Sequence, residues 1–108
     1  MYFHDPETRL AKELRPGILG KSFWGENLML MVVDLEAGAI LPEHSHPQEQ
    51  GGIVLEGELE FMIAGESRIL HPGDVYMIPG GVEHRVRVGA SPARVLDVFS
   101  PVREDLKY

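Results

Sequence analysis

The chain has 108 residues, no cysteine and a formal net charge of −7, from 17 acidic side chains against 10 lysines and arginines. A chain of this length corresponds to one domain, and we expect residues 1–108 to form it alone. The lack of cysteine excludes disulfides, thiolate metal ligands and thiol nucleophiles. The acidic balance is not typical of nucleic-acid binding, and no apolar run approaches the ~20 residues of a membrane-spanning helix.

Residues 1–22 are the least patterned part of the chain, and we interpret them as an N-terminal extension or an edge strand. Asp5 can cap one or two helical turns between Pro6 and Leu14. The first residues lack the basic region and the apolar segment of a signal peptide, so we expect a cytoplasmic protein.

From residue 28 onward, glycine and proline separate short apolar or alternating segments at a spacing of roughly ten residues. We therefore predict that residues 28–100 form the core of an all-β sandwich or barrel of seven or eight strands, followed by a tail at 101–108. The clearest strand segments are 28–35, 52–56, 58–63, 67–70, 75–78, 84–88 and 94–99.

The segment from Leu28 to Leu35 is almost continuously apolar, so both sides of this strand need cover. One side faces the predicted barrel interior. A second copy of the chain would cover the other side, and we therefore expect a homodimer. The alternative is that residues 1–22 fold back over this strand.

Three histidines have the pattern of a metal site. His44 and His46 are two residues apart, so in an extended strand both imidazoles point to the same side. His84 alternates with Val86 and Val88, which predicts that it points inward among apolar groups. A single inward histidine is more often a core residue bonded to the backbone. Three neutral imidazoles, in contrast, form a site for a borderline divalent metal with positions open to water or substrate.

The histidines belong to two spaced motifs that resemble those of the cupin family. The residues at the motif positions are Gly38, His44, His46 and Gly57 in the first motif, and Gly73, Pro79, Gly81 and His84 in the second. The resemblance implies a double-stranded β-helix, the jelly-roll barrel of cupins, with a divalent metal ion near its centre. It also implies that the ligands are His44, His46, His84 and the residue at position 50, which is Gln50.

Gln50 and Val88 depart from the family pattern, which usually has glutamate and asparagine there. Glutamine offers a carbonyl oxygen without charge, so a divalent ion stays more electrophilic than beside a carboxylate. This favours Lewis-acid chemistry over the stabilisation of a high oxidation state. Zinc or nickel is the favoured metal, with iron and manganese as alternatives, and Gln50 either binds it directly or orients a water.

Asp97 interrupts the apolar strand predicted at 94–99 and shares a face with Phe99. Because a buried carboxylate without a partner is costly, Asp97 needs either a partner or a task. It can form a salt bridge with Arg85 or Arg103, or it can act as a general acid–base group whose pKa is raised by burial. The residues alone leave both interpretations open. The aromatics Phe23, Trp24, Phe61 and Tyr76 either line the pocket or fill the core, and core filling is the favoured interpretation.

The segment 97–105 resembles the C-terminal segment of the uronate-ketonising cupins of pectin and alginate breakdown. That group also resembles this chain in its glutamine at the fourth ligand position and in its overall length. The resemblance implies a metal-dependent, non-redox enzyme that converts 4,5-unsaturated monouronates to the linear 5-keto-4-deoxyuronate. It implies that Asp97 is the acid–base group, that Phe99 packs on the sugar and that Arg103 binds the substrate carboxylate.

This reaction must open a hemiacetal ring and move a proton to the enol carbon, which a metal ion and a carboxylate can achieve together. Arginine offers a bidentate fork to an anionic sugar that a chain of net charge −7 would otherwise repel. Arg103 can instead form a surface ion pair with Glu104 or Asp105. Two other functions stay open: a metal-dependent dioxygenase, against which the missing carboxylate ligand counts, and a non-catalytic sugar-binding cupin.

Overall fold

Ten strands make up most of the structure, a computed structural model that describes residues 2–108. The strands are β1 (Lys12–Arg15), β2 (Ile18–Trp24), β3 (Met29–Leu35), β4 (Ile40–His44), β5 (Glu49–Glu56), β6 (Leu59–Ile63), β7 (Glu66–Leu70), β8 (Val75–Ile78), β9 (His84–Val88) and β10 (Ala93–Ser100). Short 3-10 helices at Pro6–Thr8 and Glu104–Leu106 flank them. Within residues 2–108, none of the helices has the length and apolar character needed to cross a membrane.

The strands form two antiparallel sheets whose inner faces enclose one core. The six-stranded sheet has the order β1-β2-β3-β10-β5-β8, and the four-stranded sheet has the order β4-β9-β6-β7. From β3 to β6, and again from β8 to β10, each strand lies in the opposite sheet from the one before it. This alternation winds the chain into a double-stranded β-helix, which confirms the predicted all-β jelly-roll.

The N-terminal region differs from the sequence prediction. The expected helix is a single 3-10 turn at Pro6–Thr8, capped by the carboxylate of Asp5, which accepts from a backbone N–H at 3.0 Å. The chain then enters β1, which pairs with β2 at the edge of the six-stranded sheet. The sequence pattern misses β2 because its buried face consists of Ile18, Gly20 and Ser22, which do not give an apolar alternation.

The outer face of β3 stays partly open to solvent. Met29 and Met31 point into the core, whereas Leu30 points outward and is 39% exposed. The N-terminal segment extends the sheet beside β3 rather than covering it. Its contact with the outer face is at β2, where the ring of His4 lies 5.5 Å from that of Phe23. The fold-back alternative for residues 1–22 therefore does not cover the apolar strand.

Gly57 forms the tight turn that joins β5 in one sheet to β6 in the other. Its φ of +82° lies in the left-handed region that favours glycine. A Cβ atom at this position would also collide with the carbonyl oxygen of Pro92 and the backbone of Ala93. The turn therefore needs glycine both for its backbone conformation and for the close approach of the chain before β10.

Replacing Gly57 with alanine is expected to lower the free energy of unfolding by about 3 kcal/mol, because left-handed strain and overpacking act together. Gly65 provides the control, since it has a φ of +81° with nothing within 4 Å of a Cβ. Gly65→Ala should cost only about 1 kcal/mol, from strain alone. Urea denaturation of both variants measures the difference, and equal costs would contradict the proposed close approach.

Candidate active site

His44 and His84 are brought together by strand pairing in the four-stranded sheet. His44 ends β4 and His84 begins β9, and the two residues lie directly opposite each other in the antiparallel register. Their ring centroids are 4.2 Å apart. His84 points inward and is 2% exposed. Side chains at opposite positions on neighbouring strands share one face, so the register itself converges these imidazoles.

His46 lies just beyond β4, in the bend that leads to β5, rather than in the continuous strand predicted from the sequence. It is buried, and its ring centroid lies 5.0 Å from that of His84 and 5.9 Å from that of His44. One ring nitrogen from each of the three histidines lies within 4.8 Å of the other two. The structure thus brings together the three imidazoles that the sequence singles out.

Each of these rings is held by a backbone carbonyl group two residues away. The Nδ1 atoms of His44, His46 and His84 lie 2.8, 3.0 and 2.9 Å from carbonyl oxygens. The three carbonyl groups belong to Pro42, Gln48 and Val82. Because a carbonyl oxygen only accepts hydrogen bonds, Nδ1 carries the proton in each ring. The Nε2 lone pairs are therefore left for a metal ion, as in protein metal sites whose histidines are oriented by hydrogen bonds from the second nitrogen.

Gln50 completes the cluster from the six-stranded sheet. It lies on the inner face of β5, and its Oε1 atom is 3.0 Å from Nε2 of His46. With Nδ1 of His46 protonated, Nε2 of His46 and Oε1 of Gln50 both offer lone pairs, an arrangement that suits a shared cation. Donors bound at ~2.1 Å to one ion have a similar separation when they are roughly perpendicular.

The protonation states and the unpaired atoms fit a divalent metal ion. The Nε2 atom of His84 is buried and has no hydrogen-bond partner, although such atoms are normally satisfied. Burial lowers the pKa of His84 to about 4 and also lowers the pKa of His46. Both imidazoles are therefore neutral at pH 7, which is the form that binds metals.

Asp97 lies on the inner face of β10 and is 8% exposed. Its Oδ1 atom accepts a hydrogen bond from the hydroxyl of Tyr76, while Arg85, one of the two arginines expected as salt-bridge partners, points outward from β9. Burial raises the pKa of Asp97 to about 6, against the smaller lowering effects of its hydrogen bonds and of Arg103. A carboxyl group of this kind changes protonation state near the pH at which general acid–base catalysts operate.

Phe99 and Arg103 lie on the side of the cluster formed by β10 and the chain after it. Phe99 is opposite Gln50 in the strand register, and its ring centroid is 5.7 Å from that of His46. The guanidinium carbon of Arg103 lies 5.2 Å from the Phe99 ring. Arg103 also forms the expected ion pair with Asp105, at 2.9 Å, while its Nε atom is buried without a partner.

One cavity of about 430 Å³ joins these groups. Its wall includes His44, Gln50, His84, Asp97, Phe99 and Arg103. A metal site, a buried carboxyl group and a guanidinium group therefore face the same space. That volume lies within the usual range for small-molecule sites.

Sequence reasoning misses the charged residues of β1 at this site. Lys12, Glu13 and Arg15 line the cavity and place charges of both signs in its wall, and the sequence allows an edge strand within residues 1–22 without locating it. Tyr76 is a core residue, as predicted, but its hydroxyl also donates a hydrogen bond to Asp97. A signal for Tyr76 does exist, since it shares the inner face of β8 with Ile78 and bears a polar group.

The fold is a jelly-roll with a histidine cluster that could hold a metal ion, and comparison with known proteins identifies its class. The family model of the cupin domain matches residues 31–99. The chain therefore belongs to the cupin family, as its two motifs predict.

Several relatives resemble the chain over nearly its whole length. The pectin degradation protein KdgF of Dickeya dadantii is 39% identical over 106 residues, which cover 96% of each chain. The structure of KdgF from a Halomonas species superposes with a TM-score of 0.91 at 31% identity and covers 97% of both chains. An RmlC-like cupin from Shewanella frigidimarina superposes with a TM-score of 0.93 at 26% identity, over 99% of this chain and 96% of the other.

Metal analysis tests the histidine cluster directly. We expect about one zinc or nickel ion per chain, and His84→Ala should abolish this binding because the site loses its most buried ligand. At free metal about 100 times Kd, the wild-type protein should gain about 2.7 kcal/mol of stability over the chelated form. Elemental analysis and thermal denaturation with and without chelator measure both effects.

His71 supplies the matched control for this experiment. Its side chain is 60% exposed and lies beside Glu58 and Asp74, away from the cluster. His71→Ala should bind metal and respond to chelator like the wild type. Stoichiometric, stabilising metal in the His84→Ala variant would contradict the assigned ligand set.

Proposed function

We propose that this chain is a metal-dependent enzyme that converts 4,5-unsaturated monouronates into the linear 5-keto-4-deoxyuronate. The observation that carries the proposal is the cavity that His44, His84, Gln50, Asp97 and Arg103 all line. The similarity to two KdgF proteins, one of which is named for pectin degradation, supports the choice of substrate class. The reaction is an isomerisation, so it requires no oxidant or reductant.

The proposed ligands are His44, His46, Gln50 and His84. A divalent ion held there would supply Lewis-acid polarisation of a substrate oxygen. Three neutral nitrogen donors and one neutral oxygen donor suit zinc or nickel, with iron or manganese as alternatives. The lack of a carboxylate in this set leaves the full charge of the ion available to an anionic substrate.

Asp97 is the group that we assign to proton transfer. As a base it takes the proton of the hemiacetal hydroxyl at C1, so that the carbonyl at C1 forms and the bond between C1 and the ring oxygen breaks. The ring oxygen keeps the electron pair and becomes the enolate oxygen at C5. As an acid, Asp97 then delivers the proton to C4, and the C5 ketone forms. The proton removed is the proton returned, so one carboxyl group suffices.

Arg103 and Phe99 are assigned to binding. The guanidinium group of Arg103 is largely buried, and its Nε atom lacks a partner, which leaves donors for the substrate carboxylate. Phe99 offers an apolar ring between Arg103 and His46, against which a sugar face can pack. Arg103 donates a hydrogen bond to the carboxylate of Asp105, which orients the guanidinium group.

A second copy of the chain is the partner that we propose for the outer face of the six-stranded sheet. Apolar side chains on or beside this face include Leu28, Leu30, Ile53, Val75, Met77, Leu96 and Val98. Several of them line a shallow depression of about 460 Å³. Contiguous apolar surfaces of this kind mark interaction sites.

We also propose a cytoplasmic location, because a chain without cysteine is suited to a reducing compartment.

Activity is tested with metal-loaded protein and unsaturated galacturonate, whose conjugated double bond absorbs in the ultraviolet and is lost on conversion. Asp97→Asn is expected to lower kcat by about 10²–10⁴-fold, since it removes the acid–base group. Arg103→Ala should raise KM by about 10–100-fold through the loss of a charge-assisted hydrogen bond.

Asp34 and Arg94 provide matched controls. They form an ion pair at 2.7 Å on the opposite side of the same sheet, and both are partly exposed. Asp34→Asn and Arg94→Ala should keep kcat and KM within about twofold. Turnover that survives both Asp97→Asn and Arg103→Ala would show that the assigned roles are wrong, and oxygen consumption by an iron-loaded protein would point to a dioxygenase instead.

The oligomeric state is tested by analytical ultracentrifugation. The sedimentation of the wild type should correspond to a molecular mass of twice the 12.0 kDa of one chain. Met77→Glu should yield monomers, because it places a charge in the proposed interface. Ile69→Glu is the control, since Ile69 is 56% exposed on β7 of the other sheet while Met77 is 61% exposed. A monomeric wild-type protein would contradict the dimer.

A further inference from the structure

Tyr76, Gly52 and Asp97 form a row across three neighbouring strands. In the register of the six-stranded sheet, Tyr76 on β8 lies opposite Gly52 on β5, and Gly52 lies opposite Asp97 on β10. Gly52 has no side chain, and a Cβ atom there would collide with the ring and hydroxyl of Tyr76. The tyrosine ring therefore lies across β5 and reaches a residue two strands away. Glycine within a strand commonly marks such a close approach.

The hydroxyl of Tyr76 forms a hydrogen bond to Asp97, the group assigned to proton transfer. The Tyr76 hydroxyl donates to Oδ1 of Asp97, and both side chains are buried. The ring of Tyr76 also packs on Phe61, with centroids 4.3 Å apart. Asp97 forms part of the cavity wall, whereas Tyr76 does not. Besides this hydrogen bond, Tyr76 touches the cavity wall through its ring, which packs on Phe61. Removing the hydroxyl alone therefore tests the contact with the carboxyl group.

A carboxyl group at the end of a short side chain can rotate about its last bond, and rotation moves both oxygens relative to a substrate. Proton transfer requires the accepting oxygen within hydrogen-bond distance of the proton. A hydrogen bond from a packed aromatic side chain removes this freedom. Supporting residues commonly lock the side chains of a preorganised site in this way. The Tyr76 ring is itself fixed by its packing on Phe61, so its hydroxyl is a fixed donor to the Asp97 carboxyl group.

We propose that Tyr76 is a positioning residue for the reaction, which fixes the orientation of the Asp97 carboxyl group, and that Gly52 is the position that permits this contact. This inference rests on the proposed function, because it assigns to Tyr76 a role in the same proton transfer. In this proposal, kcat depends on Tyr76 although Tyr76 lies outside the cavity wall.

The test is Tyr76→Phe, which removes the hydroxyl and keeps the ring that covers Gly52. With metal-loaded protein and unsaturated galacturonate, kcat should fall by about 10–100-fold while KM changes by less than about threefold. The metal content should equal that of the wild type. A kcat within about twofold of the wild-type value would overturn the proposal and leave Tyr76 with a structural role.

Tyr108→Phe is the matched control, because its hydroxyl donates to the backbone carbonyl groups of Leu10 and Gly20 and lies outside the cavity. Each substitution removes one phenolic hydroxyl together with its hydrogen bonding and should lower the melting temperature. Only Tyr76→Phe should lower kcat. An equal loss of kcat in both variants would indicate a general effect of stability and would overturn the proposal.

Crystal structures of the zinc-loaded wild type and Tyr76→Phe variant separate this inference from the proposed function. Asp97 should occupy one orientation in the wild type and a rotated or mixed orientation in the variant, whatever the substrate proves to be. An unchanged single orientation would overturn the positioning role. A wild-type protein that does not convert the uronate would overturn the proposed function, while the two structures would still decide the role of Tyr76.

Discussion

Three backbone carbonyl groups hold the proposed metal site in its working form. Each accepts the Nδ1 proton of one histidine, so that all three Nε2 lone pairs are left for a cation. The carbonyl groups belong to the segments around β4, to the start of β5 and to the approach to β9, and their positions depend on correct formation of both sheets. The site is therefore a product of the fold as a whole rather than of the histidines alone.

Strand β10 links the proposed metal site to the group proposed for proton transfer. It pairs with β3 on one side and with β5 on the other, in the middle of the six-stranded sheet. Asp97 and Phe99 point inward from it, opposite Gly52 and Gln50. A central strand with partners on both edges has its backbone fixed along its length. The proposed acid–base group thus sits on a rigid element, which suits a residue that must hold a fixed distance to substrate.

The sequence predicts the fold well from residue 28 onward, because strand alternation and turn residues are local signals. It also predicts the inward direction of His84 from the valines that share its face. It does not predict β2, whose buried face carries Gly20 and Ser22. The contact between Tyr76 and Asp97 is out of reach for a different reason: it depends on the order β10-β5-β8, and the order of strands in a sheet is not a local property.

The proposed ligands come from both halves of the sandwich. His44 and His84 belong to the four-stranded sheet, whereas Gln50 belongs to the six-stranded sheet. An ion bound by all of them would act as a crosslink between two layers that are otherwise joined by packing and connecting loops, in a chain without disulfides. Sliding of one layer against the other by even ~1 Å would stretch bonds of ~2.1 Å beyond their normal range. Separation of the two sheets and loss of the ion would then occur together. Binding of the ion would therefore slow amide hydrogen exchange in both sheets at once.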